Sequence, residues 1–234
     1  MIRLDGNNLT IEKIISVARD FEKVSLSVEG FSQIEKSKNL KNNILESGLP
    51  VYGINTGFGI FSDKKIANQD SARLSRNLIL SHAVGTGKPL PKEIVRAAML
   101  VRANTLTKGY SGVRKEIVET IIEMLNHDLV PVIPSQGSLG SSGDLAPLSH
   151  LALVFTTDEN DLESDSGLAE FEGEIFSGKS AMEKARIDRL ILGSKEGLAI
   201  NNGATFSAAI LALCISDAKN LLYLSEISLA LSLE

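Results

Sequence analysis

Residues 206–234 read FSAAILALCISDAKNLLYLSEISLALSLE, an apolar segment without glycine or proline. Good helix formers dominate the segment and nothing interrupts the backbone hydrogen bonding, so it predicts one long helix. The segment has no glycine, proline or basic last turn to end that helix. It also leaves a wide apolar surface without obvious partners. We therefore expect a fragment, a split-gene subunit, or a chain that packs against other copies.

Helical patterns also dominate the residues before this segment. Five helices are predicted there. The first is capped by Thr10, and the second is capped by Ser27 and ends at Gly48. The third has Leu74, Leu78 and His82 on one face, the fourth runs from Pro91 to near Gly109, and the fifth has the apolar period Val113, Ile117, Val118, Ile121, Ile122 and Leu125. We predict a mainly α-helical fold with an N-terminal domain over residues 1–195. Small β elements are expected near residues 51–62 and 169–176. From residue 196 the chain would begin a helical bundle that is truncated at residue 234.

Composition narrows the class of protein. The 234 residues are 43% hydrophobic and 23% charged, with a net charge of -5. That charge gives no reason to expect a nucleic-acid partner, which would need a basic face. The single cysteine, Cys214, excludes an intrachain disulfide and is interpreted as a small buried hydrophobe in a reducing, cytoplasmic compartment. The N-terminus has no apolar signal core, and residues 206–215 are too short to span a membrane, which needs roughly 20 residues.

The sequence Ser141-Ser142-Gly143 can support an unusual reaction. Because Gly143 has no side chain, its nitrogen can approach the carbonyl of residue 141 and close a five-membered ring with loss of water. The hydroxyl of Ser142 can leave as a second water and create an exocyclic double bond. The product, a 4-methylidene-imidazol-5-one, is a strong electrophile. Gly137 and Gly140 would let the loop bend, and Asp144 is expected to cap a helix over residues 145–155.

A Ser-Ser-Gly sequence alone is common in flexible loops. Residues 137–148, GSLGSSGDLAPL, are more specific and resemble the cofactor-forming segment of the aromatic amino acid ammonia-lyases. Four other segments match this family in the same order: YGINTGFG at 52–59, NLILSH at 77–82, VRANTL with GYSG at 101–112, and KEGLA with NG at 195–203. Five ordered segments are more specific than any single motif. Ser141 stands where the family usually has alanine, a position that contributes only its carbonyl.

The resemblance implies a role for particular residues. Tyr52 would be the general base that removes a proton from the substrate β-carbon, which requires a site that favours the phenolate. Gly59, at the end of the same loop, would contribute to substrate binding. His82 would select the substrate, because the pair Ser81-His82 is the one typical of the histidine-specific members. Asn202 would hydrogen-bond the electrophile or the substrate carboxylate, although the residues around it depart from the family pattern.

The same resemblance implies the whole reaction: deamination of L-histidine to trans-urocanate and ammonia. No external cofactor and no metal would be needed, because the electrophile comes from residues 141–143. Family members are longer and form homotetramers. This chain stops before the segments expected to supply a second tyrosine, an arginine and a glutamate. We therefore expect it to be inactive or weak unless a second polypeptide supplies the C-terminal half.

Three other interpretations compete with this one, of which the first is treated as a coincidence. Residues 173–180, GEIFSGKS, satisfy the phosphate-loop pattern, but they follow a polar acidic stretch instead of a buried strand. The chain could instead be a non-catalytic helical oligomerisation module. It could also be a phenylalanine or tyrosine ammonia-lyase or an aminomutase of the same family. His127 and His150 show no metal-ligand spacing with Cys214 and are interpreted as a surface cap and a packed side chain.

Overall fold

The computed structural model describes residues 1–57, 59, 64–67, 70–140 and 143–234. In those residues the helices are α1 (Ile11–Ala18), α2 (Val28–Ser47), α3 (Ser71–His82), α4 (Lys92–Thr107), α5 (Lys115–Asn126), α6 (Leu145–Phe155), α7 (Gly178–Ala185), α8 (Glu196–Asn201) and α9 (Thr205–Leu233). The strands are β1 (Ile2–Leu4), β2 (Val24–Leu26), β3 (Thr86–Pro89), β4 (Val130–Pro131), β5 (Pro134–Gln136), β6 (Thr156–Thr157), β7 (Leu168–Phe171), β8 (Glu174–Ser177) and β9 (Leu190–Ile191). The prediction of a mainly helical fold is confirmed.

Helix α4 lies at the centre of the hydrophobic core and packs against α1, α5 and α9. Small side chains make this possible, because Ala97, Ala98 and Ala103 are fully buried and let neighbouring helices approach closely. The buried apolar residues of the N-terminal elements, of α4 to α7 and of the first turns of α9 form one continuous cluster. The predicted division at residue 195 stays a prediction.

The predicted helix ends are largely confirmed. The Thr10 hydroxyl accepts the Lys13 amide, and the Ser27 hydroxyl accepts the Gly30 amide at 3.0 Å, so both residues cap the helices that follow them. Gly48 ends α2 in the left-handed conformation, with φ +67°.

The strands form small peripheral sheets. β7 and β8 make the antiparallel hairpin expected near residues 169–176, and β4 extends it. The parallel pairs β1–β2 and β6–β9 and the antiparallel pair β3–β5 were not predicted, because strands this short carry too little periodicity to be recognised. Around the tyrosine segment, the described residues contain only the isolated bridge between Thr56 and Lys65.

The two halves of α9 have different surroundings. Thr205, Phe206, Ala209, Ala212 and Leu213 are buried, whereas most side chains from residue 217 onward are exposed. Cys214 is exposed, so the prediction that it is a buried hydrophobe is wrong. The reason is helical periodicity, which turns position 214 away from the face formed by its neighbours at 212 and 213.

The apolar stretch at this end is longer than residues 206–215. The stretch Glu196–Leu233, which comprises α8, the turn after it and α9, is long and apolar enough to span a membrane by length and composition alone, with a mean hydropathy of 1.7. Of its most apolar 18-residue window, 44% is buried inside the protein.

Candidate active site

The short helix α8 connects the segments that the sequence singled out. It has six residues and is therefore roughly 9 Å long at 1.5 Å per residue. At its N-terminal end, the Ser194 hydroxyl donates a hydrogen bond to the Ile54 carbonyl in the tyrosine segment. Gly197 lies against α3, where an added Cβ would come within 2.5 Å of the Ser75 carbonyl oxygen. Asn202 follows directly at the other end of the helix.

Tyr52 lies in a turn whose backbone is fixed by Asn55. The Asn55 amide oxygen accepts from the Val51 nitrogen at 2.7 Å, and its amide nitrogen donates to the Leu49 carbonyl at 2.8 Å. The Tyr52 side chain is 57% exposed. Gly59 is exposed and has a φ of +56°, a conformation that favours glycine. The phenol is thus open to the surface on a turn of fixed shape.

His82 is the last residue of α3 and is only partly exposed. Its Nδ1 lies 2.8 Å from the Leu78 carbonyl oxygen and 3.0 Å from the Ser81 hydroxyl. Because a carbonyl can only accept, Nδ1 carries the proton in this arrangement. In the neutral ring Nε2 is therefore the acceptor, and it has no hydrogen-bond partner among the described residues. A ring in this state can accept a hydrogen bond from a substrate N–H.

Gly143 is buried and has a φ of +122°. A Cβ at this position would lie 2.9 Å from Oδ1 of Asn202 and 3.3 Å from the Gly203 nitrogen, so only glycine fits. Its own amide donates to the Gly140 carbonyl at 3.0 Å. The predicted site residues Ser141 and Ser142 lie outside the described residues. The structure therefore places Gly143 beside the Asn202 side chain.

Asp144 has a different role from the one predicted. Its side chain makes no hydrogen bond to the first turn of α6, so the prediction that it caps this helix is wrong. The carboxylate is fully buried and accepts from the Phe206 and Ser207 amides at 2.6 and 3.1 Å, which are at the start of α9. The N-cap residue of α9, Ala204, has no polar side chain, and the unpaired amides of that turn attract a carboxylate from elsewhere in the fold.

The Asp144 carboxylate also accepts from the Ser138 hydroxyl at 2.5 Å, and its backbone amide donates to the Gly203 carbonyl at 2.9 Å. It therefore links both sides of the electrophile segment to the turn that follows Asn202.

Arg102, on α4, binds the same turn and was assigned no site role from the sequence. Its guanidinium donates to the Asn202 carbonyl at 2.9 Å, to the Ala199 carbonyl, and to the Thr205 hydroxyl at 3.4 Å. Burial lowers the pKa of Arg102 to about 10, so the group remains charged at neutral pH. It has no carboxylate partner among the described residues. The signal that could have revealed it is a charged residue within the apolar run 97–106.

The start of α8 is held by a buried ion pair. Glu196 is fully buried and accepts from Arg114 through Nε at 2.9 Å and Nη2 at 2.8 Å. Burial alone would raise the pKa of Glu196, but the hydrogen bonds and charge of Arg114 outweigh it and lower the pKa below its usual value. Lys195, immediately before it, has a φ of +68°, a strained conformation for a residue other than glycine.

Residues 173–180, which satisfy the phosphate-loop pattern, do not form a phosphate-binding loop. Residues 174–177 form strand β8, paired with β7, instead of a loop that could surround phosphates. Gly178 is packed so tightly that a Cβ would lie 2.0 Å from the Ser166 carbonyl oxygen. The Lys179 ammonium donates to the backbone carbonyl of Asp161 at 3.0 Å and also lies 3.0 Å from the Asp161 carboxylate. The described residues also contain no group of three or more potential metal ligands.

Comparison with known proteins assigns the family. The model of the aromatic amino acid lyase family matches residues 9–234. A histidine ammonia-lyase of Caldanaerobacter subterraneus subsp. tengcongensis is 48% identical over 231 residues, which are 99% of this chain and 44% of the relative. The chain thus spans less than half the length of this relative.

Two solved structures have the same fold. The ergothionase of Treponema denticola, an ergothioneine-degrading enzyme, superposes with a TM-score of 0.88 and 32% identity over 96% of this chain and 43% of that one. Histidine ammonia-lyase from Trypanosoma cruzi superposes with a TM-score of 0.83 and 32% identity over 94% of this chain and 42% of that one. The chain belongs to the aromatic amino acid lyase family.

Proposed function

We propose that this chain is the N-terminal part of a histidine ammonia-lyase, which converts L-histidine to trans-urocanate and ammonia. The observation that carries the proposal is the contact between Gly143 and Asn202, since a buried glycine with no room for a side chain abuts an amide that can hydrogen-bond a newly formed ring. The relatives named histidine ammonia-lyase, 43 to 48% identical across the chain, support the same activity.

The electrophile is proposed to be a 4-methylidene-imidazol-5-one made from Ser141, Ser142 and Gly143. The surroundings of Gly143 fit this group, because they leave no room for a Cβ at residue 143 and therefore require the glycine whose nitrogen closes the ring. When formed, the group supplies an electrophilic carbon that activates the substrate amine for departure. Asp144 and Arg102 both bind the adjoining turn, so that the Asn202 side chain keeps its position beside the ring.

The other residues act on the substrate. Tyr52, on its fixed turn, removes the β-proton, and Gly59 allows the substrate to approach the backbone. His82 accepts a hydrogen bond from the substrate imidazole at Nε2, which has no hydrogen-bond partner in the part of the chain that the structure describes. This contact favours histidine over substrates without a ring N–H, because a bound substrate that shields Nε2 from water without donating to it leaves the acceptor unpaired, which is costly. A related imidazole substrate is the second candidate, since the ergothionase of Treponema denticola has the same fold.

The complete enzyme is proposed to be a cytoplasmic homotetramer, whose C-terminal half is supplied either by the same polypeptide or by a second one. The exposed apolar half of α9 supports this proposal, because large exposed apolar surfaces usually mark interfaces. The chain alone should therefore release little or no urocanate, and adding the C-terminal region should restore activity. Robust urocanate production by the chain alone would contradict this part of the proposal.

The first test is the mass of the peptide covering residues 135–156. Loss of two waters is expected in the wild type, because ring closure and departure of the Ser142 hydroxyl each release one. The Ser142→Ala variant should lose at most one water, and Gly143→Ala should lose none. An unmodified wild-type peptide, both alone and after co-expression with the C-terminal region of the Caldanaerobacter relative, would contradict the proposed function.

A further inference from the structure

His150 makes a specific contact between two parts of the candidate site. It lies on α6, the helix that follows the electrophile segment. Its Nε2 accepts a hydrogen bond at 3.0 Å from the backbone amide of Gly85, three residues beyond His82. The prediction that His150 is merely packed therefore omits its polar contact.

The surroundings of Gly85 leave little room for movement. A Cβ on Gly85 would lie 3.1 Å from Nε2 of His150 and 3.2 Å from the Gln136 carbonyl oxygen. On the other side, a Cβ on Gly137 would lie 3.2 Å from Cα of Gly85 and 3.1 Å from Cβ of Ala146. The segment after His82, the start of the electrophile segment and α6 therefore meet in close contact at this point.

The protonation state of His150 follows from this geometry. An N–H donor requires Nε2 to be unprotonated, so the neutral ring carries its proton on Nδ1. Burial lowers the pKa of His150, which favours the same neutral form at physiological pH. Burial is the cause of this shift, without a contribution from a neighbouring charge. The ring can thus serve as a constant acceptor for the Gly85 amide.

We propose that His150 is a positioning residue that accepts the Gly85 amide and thereby fixes the His82 imidazole relative to the electrophile segment. The backbone from His82 to Gly85 is short, with the Ala83 amide bonded to the Ile79 carbonyl and the Val84 amide bonded to the His82 carbonyl. A displacement of Gly85 is therefore transmitted to His82. This inference rests on the proposed function, in which His82 recognises the substrate.

The test compares His150→Gln with His150→Asn. Both side chains are amides, but only the glutamine side chain is long enough to place its oxygen where Nε2 of His150 lies. Hydrogen exchange of the Gly85 amide is measured at pH 7.5, together with the ring ¹⁵N shifts of the histidines. The chain has three histidines, which makes those spectra easy to assign. His127→Gln is the control, because this residue lies at the end of α5 and contacts Glu123.

In the Asn variant we expect Gly85 exchange to accelerate by roughly 3- to 10-fold, the range for loss of one hydrogen bond, and the His82 shifts to change. The Gln variant and the control should remain within about twofold of the wild type. Equal protection in the Asn and Gln variants, or unchanged His82 shifts in the Asn variant, would overturn the proposal. Neither measurement requires the electrophile, so this outcome is distinguishable from failure of the proposed function.

If His150→Asn does not fold, His150→Leu takes its place as the variant without an acceptor. Wild-type exchange then gives a separate check, because an amide bonded to a neutral imidazole should be protected. A Gly85 amide that exchanges as fast as an unstructured peptide in the wild type would overturn the proposal by itself.

Discussion

The buried and exposed halves of α9 differ in their surroundings, although their compositions are similar. The first turns are packed against α4, and their unpaired amides are bonded to Asp144. The exposed apolar side chains of the second half are Leu221, Leu222, Tyr223, Leu224, Ile227, Leu229, Leu231 and Leu233. One helix therefore serves as core at one end and as uncovered surface at the other.

The change along α9 shows where the hydrophobic core of this chain ends. Asn202 and Gly203 directly precede the buried half, and Gly143 lies beside them. The exposed half contributes no buried residue to the core. An apolar surface of this kind is unfavourable in water, which supports the proposal that it is an interface in the complete enzyme.

The largest expected effect is a loss of stability from a substitution in the buried half of α9. Leu213 is 4% exposed and Leu224 is 61% exposed. Truncation of a buried leucine removes packing and leaves a cavity, so Leu213→Ala should lower the free energy of unfolding by about 3 kcal/mol. Leu224→Ala is the matched control and should change it by less than about 0.5 kcal/mol. Urea unfolding measures both values, and similar losses would show that the two halves are equally packed.

A smaller effect is expected from removing the cap of α9. Asp144→Ala leaves the Phe206 and Ser207 amides without their acceptor and should lower the free energy of unfolding by about 2 kcal/mol. Asp217→Ala is the control on the same helix. Asp217 pairs with Arg19 at the surface, where ion pairs contribute little, so its loss should be hard to detect. Equal midpoints for the two variants in urea would contradict the role assigned to Asp144.

The smallest effect is expected from deleting residues 219–234. The removed part is exposed, so the free energy of unfolding should change by less than about 1 kcal/mol. Self-association should decrease, because the uncovered apolar surface is removed. Sedimentation velocity and urea unfolding measure the two quantities. A large loss of stability with unchanged association would mean that this half is part of the folded core.

Much of the fold was accessible from local sequence. The caps at Thr10 and Ser27, the stop at Gly48 and the hairpin near residues 169–176 depend on residues close in sequence, and the structure confirms them. The unpredicted strand pairs and the burial of Arg102 depend on partners that are distant in the chain. Asp144 is the clearest example, since helix start signals pointed to α6 whereas the carboxylate lies at α9.

The helical class and the segments that carry the family resemblance can be read from the order of residues, because they follow from periodicity, capping and motif spacing. Three contacts are visible only in the folded chain: Asn202 lies against Gly143, Arg102 and Asp144 bind the same turn, and His150 accepts the Gly85 amide. The physical reason is that such contacts join elements far apart in sequence. Their geometry is set by how closely helices pack, and at Gly197 and Gly143 that packing leaves no room for a side chain.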